Sequence, residues 1–124
     1  MAKITETEFD VLATLWDKSP QSAQQIIDSL NKQKFWHEKT VKTLLNRLVK
    51  KEAVGFEKEA RKYLYYPLIA KEQYQDDESE TLIQRLFSGN LSPFVANFAK
   101  RNKLNKQDVE ELKQVIEKWE REND

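Results

Sequence analysis

Cations and short hydroxyl side chains crowd one face of the segment at residues 38–52, "EKTVKTLLNRLVKKE". Its aliphatic residues recur at intervals of three and four, which predicts a helix with one buried stripe. Hydroxyl and amide groups can approach base edges, whereas lysine and arginine reach phosphates or guanine. The outward arc therefore suits a helix that enters the major groove of DNA, and it consists of Lys39, Thr40, Lys42, Thr43, Asn46, Arg47, Lys50 and Lys51.

Two further helices are predicted before this one, and each begins with a capping box. The first capping box is Thr5-x-x-Glu8. The second is Ser22-x-x-Gln25. Helical spacing predicts that the first helix buries Phe9, Leu12, Ala13 and Trp16, and that the third buries Val41, Leu44, Leu45, Leu48 and Val49.

After the basic helix, "VGFEKEARKYLYYPL" alternates with a period of about two, which predicts a β-hairpin with strands at 54–58 and 62–68. The connecting residues include neither glycine nor asparagine, so a longer loop is predicted rather than a tight turn. Three helices followed by a hairpin is the order of a winged helix-turn-helix, predicted here as a DNA-binding domain at residues 1–70. Lys58, Arg61 and Lys62 near the hairpin tip would contact the DNA backbone.

Charge is unevenly distributed, although the chain as a whole has a net charge of zero. Residues 32–62 carry ten basic and four acidic residues (+6), and residues 71–124 carry nine basic and twelve acidic residues (−3). Because a basic segment attracts polyanions, this distribution favours DNA as the partner. Two alternatives stay open: lysines that only keep the helix soluble, and a winged helix whose basic face docks a protein without sequence-specific DNA binding.

The remaining residues, 71–124, have helical patterns only. Ser92 and Pro93 are expected to begin a middle helix, and Asn105 to cap the last one. These 54 residues are too few to bury a core of their own, so their apolar stripes predict a second copy of the chain as partner. The predicted dimer contacts are Leu82, Ile83, Leu86, Phe87, Val109, Leu112, Ile116 and Trp119.

Composition argues against an enzyme and against any cofactor or metal. The chain has no cysteine, one histidine and two glycines, so it offers no thiolate, no cysteine-ligated metal site and no glycine-rich phosphate loop. The acidic run "DDESE" at 76–80 is interpreted as a solvated helix start rather than a metal cluster. No apolar segment resembles an export signal or a membrane span, which predicts a cytoplasmic protein.

Four quoted stretches carry a resemblance to a known family: "TETEFDVLATLWDKSPQSAQQIIDSL", "KTVKTLLNRLVKKEAVGFEK", "KYLYYPLI" and "FVANFAKRNKLNKQDVEELK". They resemble the penicillinase-repressor (BlaI/MecI) family of bacterial regulators. The resemblance implies a mainly α-helical homodimer with an N-terminal winged helix-turn-helix and a C-terminal three-helix dimerisation region. It also implies repression through palindromic double-stranded DNA operators, in some members linked to antibiotic resistance.

The resemblance has a further implication and two departures. Family β-lactam responders are cleaved at an Asn–Phe bond by a membrane-bound sensor metallopeptidase, and Asn97-Phe98 stands in that place here; alternatively, Phe98 is only a core residue. Many members have Ser-Pro where this chain has His37-Glu38, a weaker cap that also brings a negative charge towards DNA. The copper-responsive branch has a C-terminal cysteine cluster that this chain lacks.

Overall fold

The computed structural model describes residues 3–123 and has the predicted mainly helical character. Contacts divide the chain into two units, one ending at Asp76 and the other beginning at Asp77. The elements are α1 (Glu6–Asp17), β1 (Gln21–Ser22), α2 (Ala23–Leu30), α3 (Glu38–Lys50), β2 (Val54–Glu59), β3 (Lys62–Pro67), α4 (Lys71–Phe87), α5 (Leu91–Lys100) and α6 (Lys106–Asn123).

Both predicted capping boxes are confirmed in the first unit. At the start of α1, the Thr5 backbone N–H donates to Glu8 Oε1 at 2.8 Å, and the Glu8 N–H donates back to Thr5 Oγ1 at 3.3 Å. At α2, Ser22 and Gln25 make the same reciprocal pair at 2.8 and 3.2 Å. Each box satisfies two of the backbone donors that a helix start leaves unpaired, so these short helices begin where the sequence predicts.

The three helices of this unit pack around one apolar core, to which α3 contributes the predicted stripe except Val49, which is only half-buried. The prediction for α1 is wrong in part, because Phe9 is 37% exposed and Ala13 and Trp16 are only half-buried. The buried face of α1 is rotated along the helix to Glu8, Val11, Leu12 and Leu15. The core comprises Ile4, Val11, Leu12, Leu15, Ile26, Ile27, Trp36, Val41, Leu44, Leu45, Leu48, Ala53, Val54 and Ile69.

Phe9 and Trp16 leave the core face because they form a ring cluster with Tyr74, in the first turn of α4. The three ring centroids lie 5.6 to 5.7 Å apart, and Trp16 Nε1 donates to the carbonyl of Ile69 at 2.9 Å. Aromatic pairs of this kind contribute roughly 0.5–1.5 kcal/mol each beyond their buried area. The first turn of α4 therefore belongs to the first unit, which ends at Asp76.

A three-stranded antiparallel sheet, in the order β1-β3-β2, forms the wing. The two residues of β1 were not predicted as a strand. The prediction of a longer loop is also wrong, since Glu59 pairs directly with Lys62 and leaves a turn of Ala60 and Arg61 only. Ala60 adopts a φ of 57°, which costs an L-residue about 1–2 kcal/mol, and the paired strands on both sides hold it there.

A buried carboxylate links α1 to the end of α3. The Glu8 side chain is fully buried, and its Oε1 accepts from the ammonium of Lys51, which also donates to the Lys3 carbonyl at 2.7 Å. Burial raises the pKa of Glu8, but the hydrogen bonds from Lys51 and Thr5 outweigh it and hold the pKa below its ordinary value. Its Oε2 is buried without a hydrogen-bond partner among the described residues.

The second unit contains the rest of α4 together with α5 and α6. The Asn105 cap of α6 is confirmed, because Asn105 Oδ1 accepts from the Asp108 N–H at 2.7 Å. The prediction for α5 is wrong in part, since the helix begins at Leu91 with Asn90 rather than Ser92 in the cap position, whereas Pro93 lies in its first turn as predicted. Up to Asn123, no side chain of this unit is fully buried. Ile116 is 56% and Trp119 62% exposed, so the C-terminal part of the predicted stripe of α6 is largely open to solvent in a single chain.

Crossing a bilayer requires a length and an apolar character that none of the helices between residues 3 and 123 combines.

We expect the Glu8–Lys51 pair to make stability depend on pH in acid. Because the folded-state pKa of Glu8 is lowered, its contribution is fully present above the ordinary value of 4.5 and is lost as pH falls through the folded value. Glu8→Gln should lower the free energy of unfolding by about 1–3 kcal/mol at neutral pH and flatten its decline in acid. Urea unfolding followed by circular dichroism at a series of pH values measures this.

Glu6→Gln is the matched control, since Glu6 is an exposed carboxylate in the same turn. It should leave the pH dependence unchanged. If the free energy of unfolding fell equally in acid for Glu8→Gln and for the unaltered chain, the buried pair would not be the cause of the pH dependence.

Candidate nucleic-acid interface

The outward face of α3 is the most basic surface that a single element of the first unit presents. Val41, Leu44, Leu45 and Leu48 are buried, and this leaves the opposite arc of the helix to solvent. Seven of the eight predicted side chains on that arc are exposed: Lys39, Thr40, Lys42, Thr43, Asn46, Arg47 and Lys50. Packing of the aliphatic stripe thus determines which polar side chains face outward together.

Lys51 does not join this surface. Its side chain is 24% exposed, and its ammonium is held by Glu8 and by the Lys3 carbonyl. Moving it towards a phosphate would leave the buried Glu8 carboxylate without its cation, which is strongly unfavourable. We therefore treat Lys51 as a residue of the fold rather than of the interface.

The start of α3 is capped by His37, where many relatives are expected to have serine. His37 Nδ1 accepts from the Lys39 N–H at 3.2 Å, so the imidazole takes the place of a capping oxygen. Glu38 pairs with Lys42 one turn on, at 2.9 Å, and the hydrogen bond and charge of Lys42 lower the pKa of the Glu38 carboxyl. Both side chains are more than half exposed, so water and salt compete with this pair. Lys42 can exchange Glu38 for a phosphate.

Thr43 has a different role from the one that its hydroxyl suggests. Its Oγ1 donates to the Lys39 carbonyl at 3.0 Å, within its own helix. The hydroxyl is therefore satisfied, and the methyl group is free to meet an apolar patch such as the methyl of thymine. Asn46 and Arg47 follow on the same exposed arc, and their side chains make no hydrogen bond or ion pair within residues 3–123, which suits contact with base edges.

The wing adds cations beside α3. Lys58, Arg61 and Lys62 are all exposed around the two-residue turn, as the sequence predicts. A groove of about 560 Å³ separates the wing from α3 and the start of α2. Its lining consists of Ser22, Ala23, Gln24, Lys42, Asn46, Lys62, Tyr63 and Tyr65.

Two tyrosines of this groove, Tyr63 and Tyr65, were missed as site residues in the sequence. Burial, aided by Tyr63, raises the pKa of Tyr65 against the opposing charge of Lys42, so its phenol stays protonated at neutral pH. Protonated phenols donate hydrogen bonds to phosphate oxygens. The alternation of "KYLYY", which places Tyr63 and Tyr65 on one side of β3, is the signal that could have indicated them.

The bond Asn97–Phe98 lies in the second unit, near the end of α5. The Asn97 carbonyl accepts from the Arg101 N–H at 3.2 Å, and the Phe98 carbonyl from the Lys103 N–H at 2.9 Å. Asn102 ends the helix with a φ of 56°. Phe98 is 40% exposed and its ring lies 4.9 Å from that of Phe94, so it packs against its own helix without being a buried core residue.

The predicted dimer contacts are also in the second unit. Leu82, Ile83 and Phe87 are half-buried. The exposed members are Leu86, Val109, Leu112, Ile116 and Trp119. Residues 3–123 contain no group of three acidic or histidine side chains arranged to hold a metal ion.

Comparison with known proteins gives a consistent result. The penicillinase repressor family model matches residues 4–118. A penicillinase repressor of Bacillus licheniformis is 32% identical over 93% of this chain and 90% of its own length. The methicillin resistance regulatory protein MecI of Staphylococcus aureus (strain N315) is 30% identical over 94% of both chains. The solution structure of monomeric Bacillus licheniformis BlaI in complex with the blaP half-operator is 34% identical, with a TM-score of 0.52 over 59% of this chain and 89% of that one.

We expect Arg47→Ala to weaken binding to a selected DNA site by about 1–3 kcal/mol and to relax the preference for one base pair, if Arg47 contacts a base edge. Lys58→Ala is the matched control, because a phosphate contact weakens binding to all sequences and lowers the salt slope by about one. Fluorescence anisotropy with selected and random duplexes at several salt concentrations separates the two effects. An equal loss on both duplexes for Arg47→Ala would make it a phosphate contact only.

Proposed function

The chain belongs to the penicillinase repressor family, and from this premise we propose that it is a DNA-binding transcriptional repressor that reads its operator with α3. The observation that carries the proposal is the exposed arc of seven polar and basic side chains on α3 beside the wing groove. A family member of the same fold has been solved in complex with a half-operator. A family of repressors also gives no reason to expect an enzyme.

Binding would combine two kinds of contact. Thr43, Asn46 and Arg47 lie where a helix in the major groove meets base edges. The surrounding cations would hold the phosphates and release their counterions, which supplies affinity without sequence preference. They are Lys39, Lys42, Lys50, Lys58, Arg61 and Lys62.

The alternative, a winged helix that only docks an acidic protein, is not favoured. Contact with a protein would not require an arc of threonine, asparagine and arginine at major-groove spacing, and the solved relative is bound to DNA. The two proposals predict different selectivity, since only a DNA reader prefers one duplex sequence over another.

We further propose that the second unit forms a homodimer, so that two copies of α3 meet the two halves of a palindromic operator. The support is the stripe of α6, where Leu112 is 38%, Ile116 56% and Trp119 62% exposed in a single chain. Large apolar side chains at regular spacing along a helix favour a matching surface, and a second copy presents the same stripe.

Relief of repression is proposed to act on this dimer through cleavage of Asn97–Phe98 by a membrane-bound sensor metallopeptidase. The bond is held in the last turn of α5 by backbone hydrogen bonds to Arg101 and Lys103, so opening one helical turn exposes it. Cleavage there would separate α6 and its stripe from the DNA-binding unit. The inducer would be a β-lactam, and the repressor would act in the cytoplasm.

The proposed function is tested by selecting duplexes from a random DNA pool with the intact chain. We expect an enriched sequence with two-fold symmetry and half-sites about one helical turn apart. The control is the Asn46→Ala/Arg47→Ala double variant, which should enrich a much weaker consensus, since it keeps the charge of the phosphate-binding lysines but lacks two of the three proposed base-contacting residues. Absence of any enriched sequence with the intact chain would favour the protein-docking alternative.

A chain ending at Asn97 should keep a folded first unit, sediment as a monomer and lose about a hundredfold or more in affinity for the selected palindrome, because linked half-sites gain from effective concentration. A chain ending at Glu120 is the matched control, since it is also shortened but keeps the α6 stripe. Analytical ultracentrifugation and operator titration measure both. A truncated chain at Asn97 that remains dimeric and binds like the intact chain would contradict the cleavage switch.

A further inference from the structure

The segment between α2 and α3 holds its last residue, His37, on a fixed backbone. Asn31 and Trp36 form a reciprocal pair, in which the Trp36 N–H donates to Asn31 Oδ1 at 3.0 Å and Asn31 Nδ2 donates to the Trp36 carbonyl at 3.3 Å. The Trp36 side chain is buried in the core. His37 follows directly and is exposed, so a solvent-facing imidazole is attached to a backbone that the core holds in place.

The imidazole of His37 has one hydrogen-bonding group left for a partner. A neutral imidazole carries its proton on one ring nitrogen and accepts with the other. Because His37 Nδ1 accepts from the Lys39 N–H at 3.2 Å, the proton lies on Nε2. Nε2 makes no hydrogen bond within residues 3–123. Since the two nitrogens lie on different sides of the ring, the Nε2–H points away from the helix start that Nδ1 caps.

An exposed phenyl ring supports this imidazole. Phe35 is 81% exposed, more than any other large apolar side chain among residues 3–123. Its ring meets that of His37 edge to face, with centroids 6.4 Å apart and an angle of 89° between the ring planes. Aromatic pairs favour this arrangement at such distances, so the contact limits rotation of the imidazole. The Nε2–H is therefore a donor of defined direction.

The position of His37 favours contact with a base. In a helix-turn-helix, the N-terminal residues of the recognition helix contact base edges in the major groove. A phosphate is a poorer partner at this point, because the Glu38 carboxylate follows directly and is left unpaired once Lys42 turns to a phosphate. Guanine presents two acceptors, N7 and O6, on its major-groove edge, whereas cytosine presents an amino donor. A neutral donor of defined direction thus favours guanine.

We propose that His37 is a further specificity-determining residue of this repressor, which caps α3 through Nδ1 and donates from Nε2–H to a guanine of the operator. The inference rests on the proposed function, because it assigns one more base contact to the same DNA surface. The hydrogen bond from the Lys39 N–H fixes both the tautomer and the orientation of the donor. Capping and base contact are therefore combined in one ring.

The first test determines the tautomer in the full chain without DNA. His37 is the only histidine of the chain, so NMR of the imidazole nitrogens gives one pair of ring signals. At about pH 8, where imidazole is ordinarily neutral, we expect the proton on Nε2 and none on Nδ1. A proton on Nδ1 would overturn the proposal, because Nε2 would then be an acceptor and could not donate to guanine.

The second test separates base contact from capping with two variants of the full chain. His37→Ser keeps a capping oxygen but removes the imidazole, whereas His37→Gln keeps an amide donor of similar reach but caps poorly. Each chain selects duplexes from a random pool. We expect the unaltered chain and His37→Gln to enrich a guanine in each half-site that His37→Ser does not enrich. His37→Gln should also lose about two- to fivefold in affinity for every duplex, through the weaker cap.

Affinities then measure the size of the contact. Each chain is titrated by fluorescence anisotropy against the selected duplex and against the same duplex with that guanine replaced by cytosine in both half-sites. The unaltered chain should lose about three- to tenfold per half-site, and His37→Ser less than about twofold. The matched control is Gln33→Ser, an exposed polar residue of the same segment, which should behave as the unaltered chain does.

Two results on DNA would overturn the proposal. An unchanged guanine preference in His37→Ser would make His37 a cap only. An equal loss on selected and random duplexes in His37→Ser would make it a phosphate contact. Failure of the proposed function is distinguishable, because the unaltered chain would then enrich no sequence at all, and both proposals would fall together.

Discussion

The carboxylate of Glu8 lies inside the core, between the start of α1 and the end of α3, where a buried charge is energetically unfavourable. It is accommodated because the Thr5 N–H and the Lys51 ammonium meet the same oxygen. Separating Glu8 from Lys51 would leave the buried charge uncompensated, and separating it from Thr5 would leave a backbone donor unpaired. The two helix ends are therefore held together. This contact takes Lys51 from the basic surface and ties the end of α3 to the start of α1. Packing of the aliphatic stripe then determines which side chains α3 turns outward.

What α3 presents is therefore a consequence of packing as much as of composition. Its four buried aliphatic residues hold one side of the helix against α1 and α2. On the other side, Thr43 satisfies its own hydroxyl and Lys42 holds Glu38, which leaves a surface without unpaired negative charge at the start of the helix. The wing adds a groove that Tyr63 and Tyr65 line together with Lys42 of α3. In the proposed function, phosphate binding and base contact would use separate groups of one surface.

The second unit differs from the first in how its helices are stabilised. None of its described side chains is fully buried, and its aromatic contacts are limited to the chain of rings from Phe87 through Phe94 to Phe98. Helices with so little internal apolar contact gain most of their stability from association, so folding and assembly of this unit are coupled in the proposed dimer. The coupling explains how one cleaved bond outside the DNA-binding unit would weaken operator binding. The base-contacting residues would remain unaltered, while the linked second half-site would be lost.

Local features, which depend on residues within one or two helical turns of each other, could be predicted from the sequence alone. The two capping boxes, the Asn105 cap and the buried stripe of α3 depend on residues three or four positions apart, and the alternation of the hairpin depends on residues two positions apart. All of them appear in the structure. Tertiary structure decided what depends on distant neighbours. The core face of α1 shifted because Phe9 and Trp16 meet Tyr74, and Lys51 turned inward to a carboxylate 43 residues away. Ala60 accepts a left-handed conformation because paired strands close on both sides of it. Periodicity shows which face of an element is apolar or basic, but only tertiary packing determines which residues that face contacts.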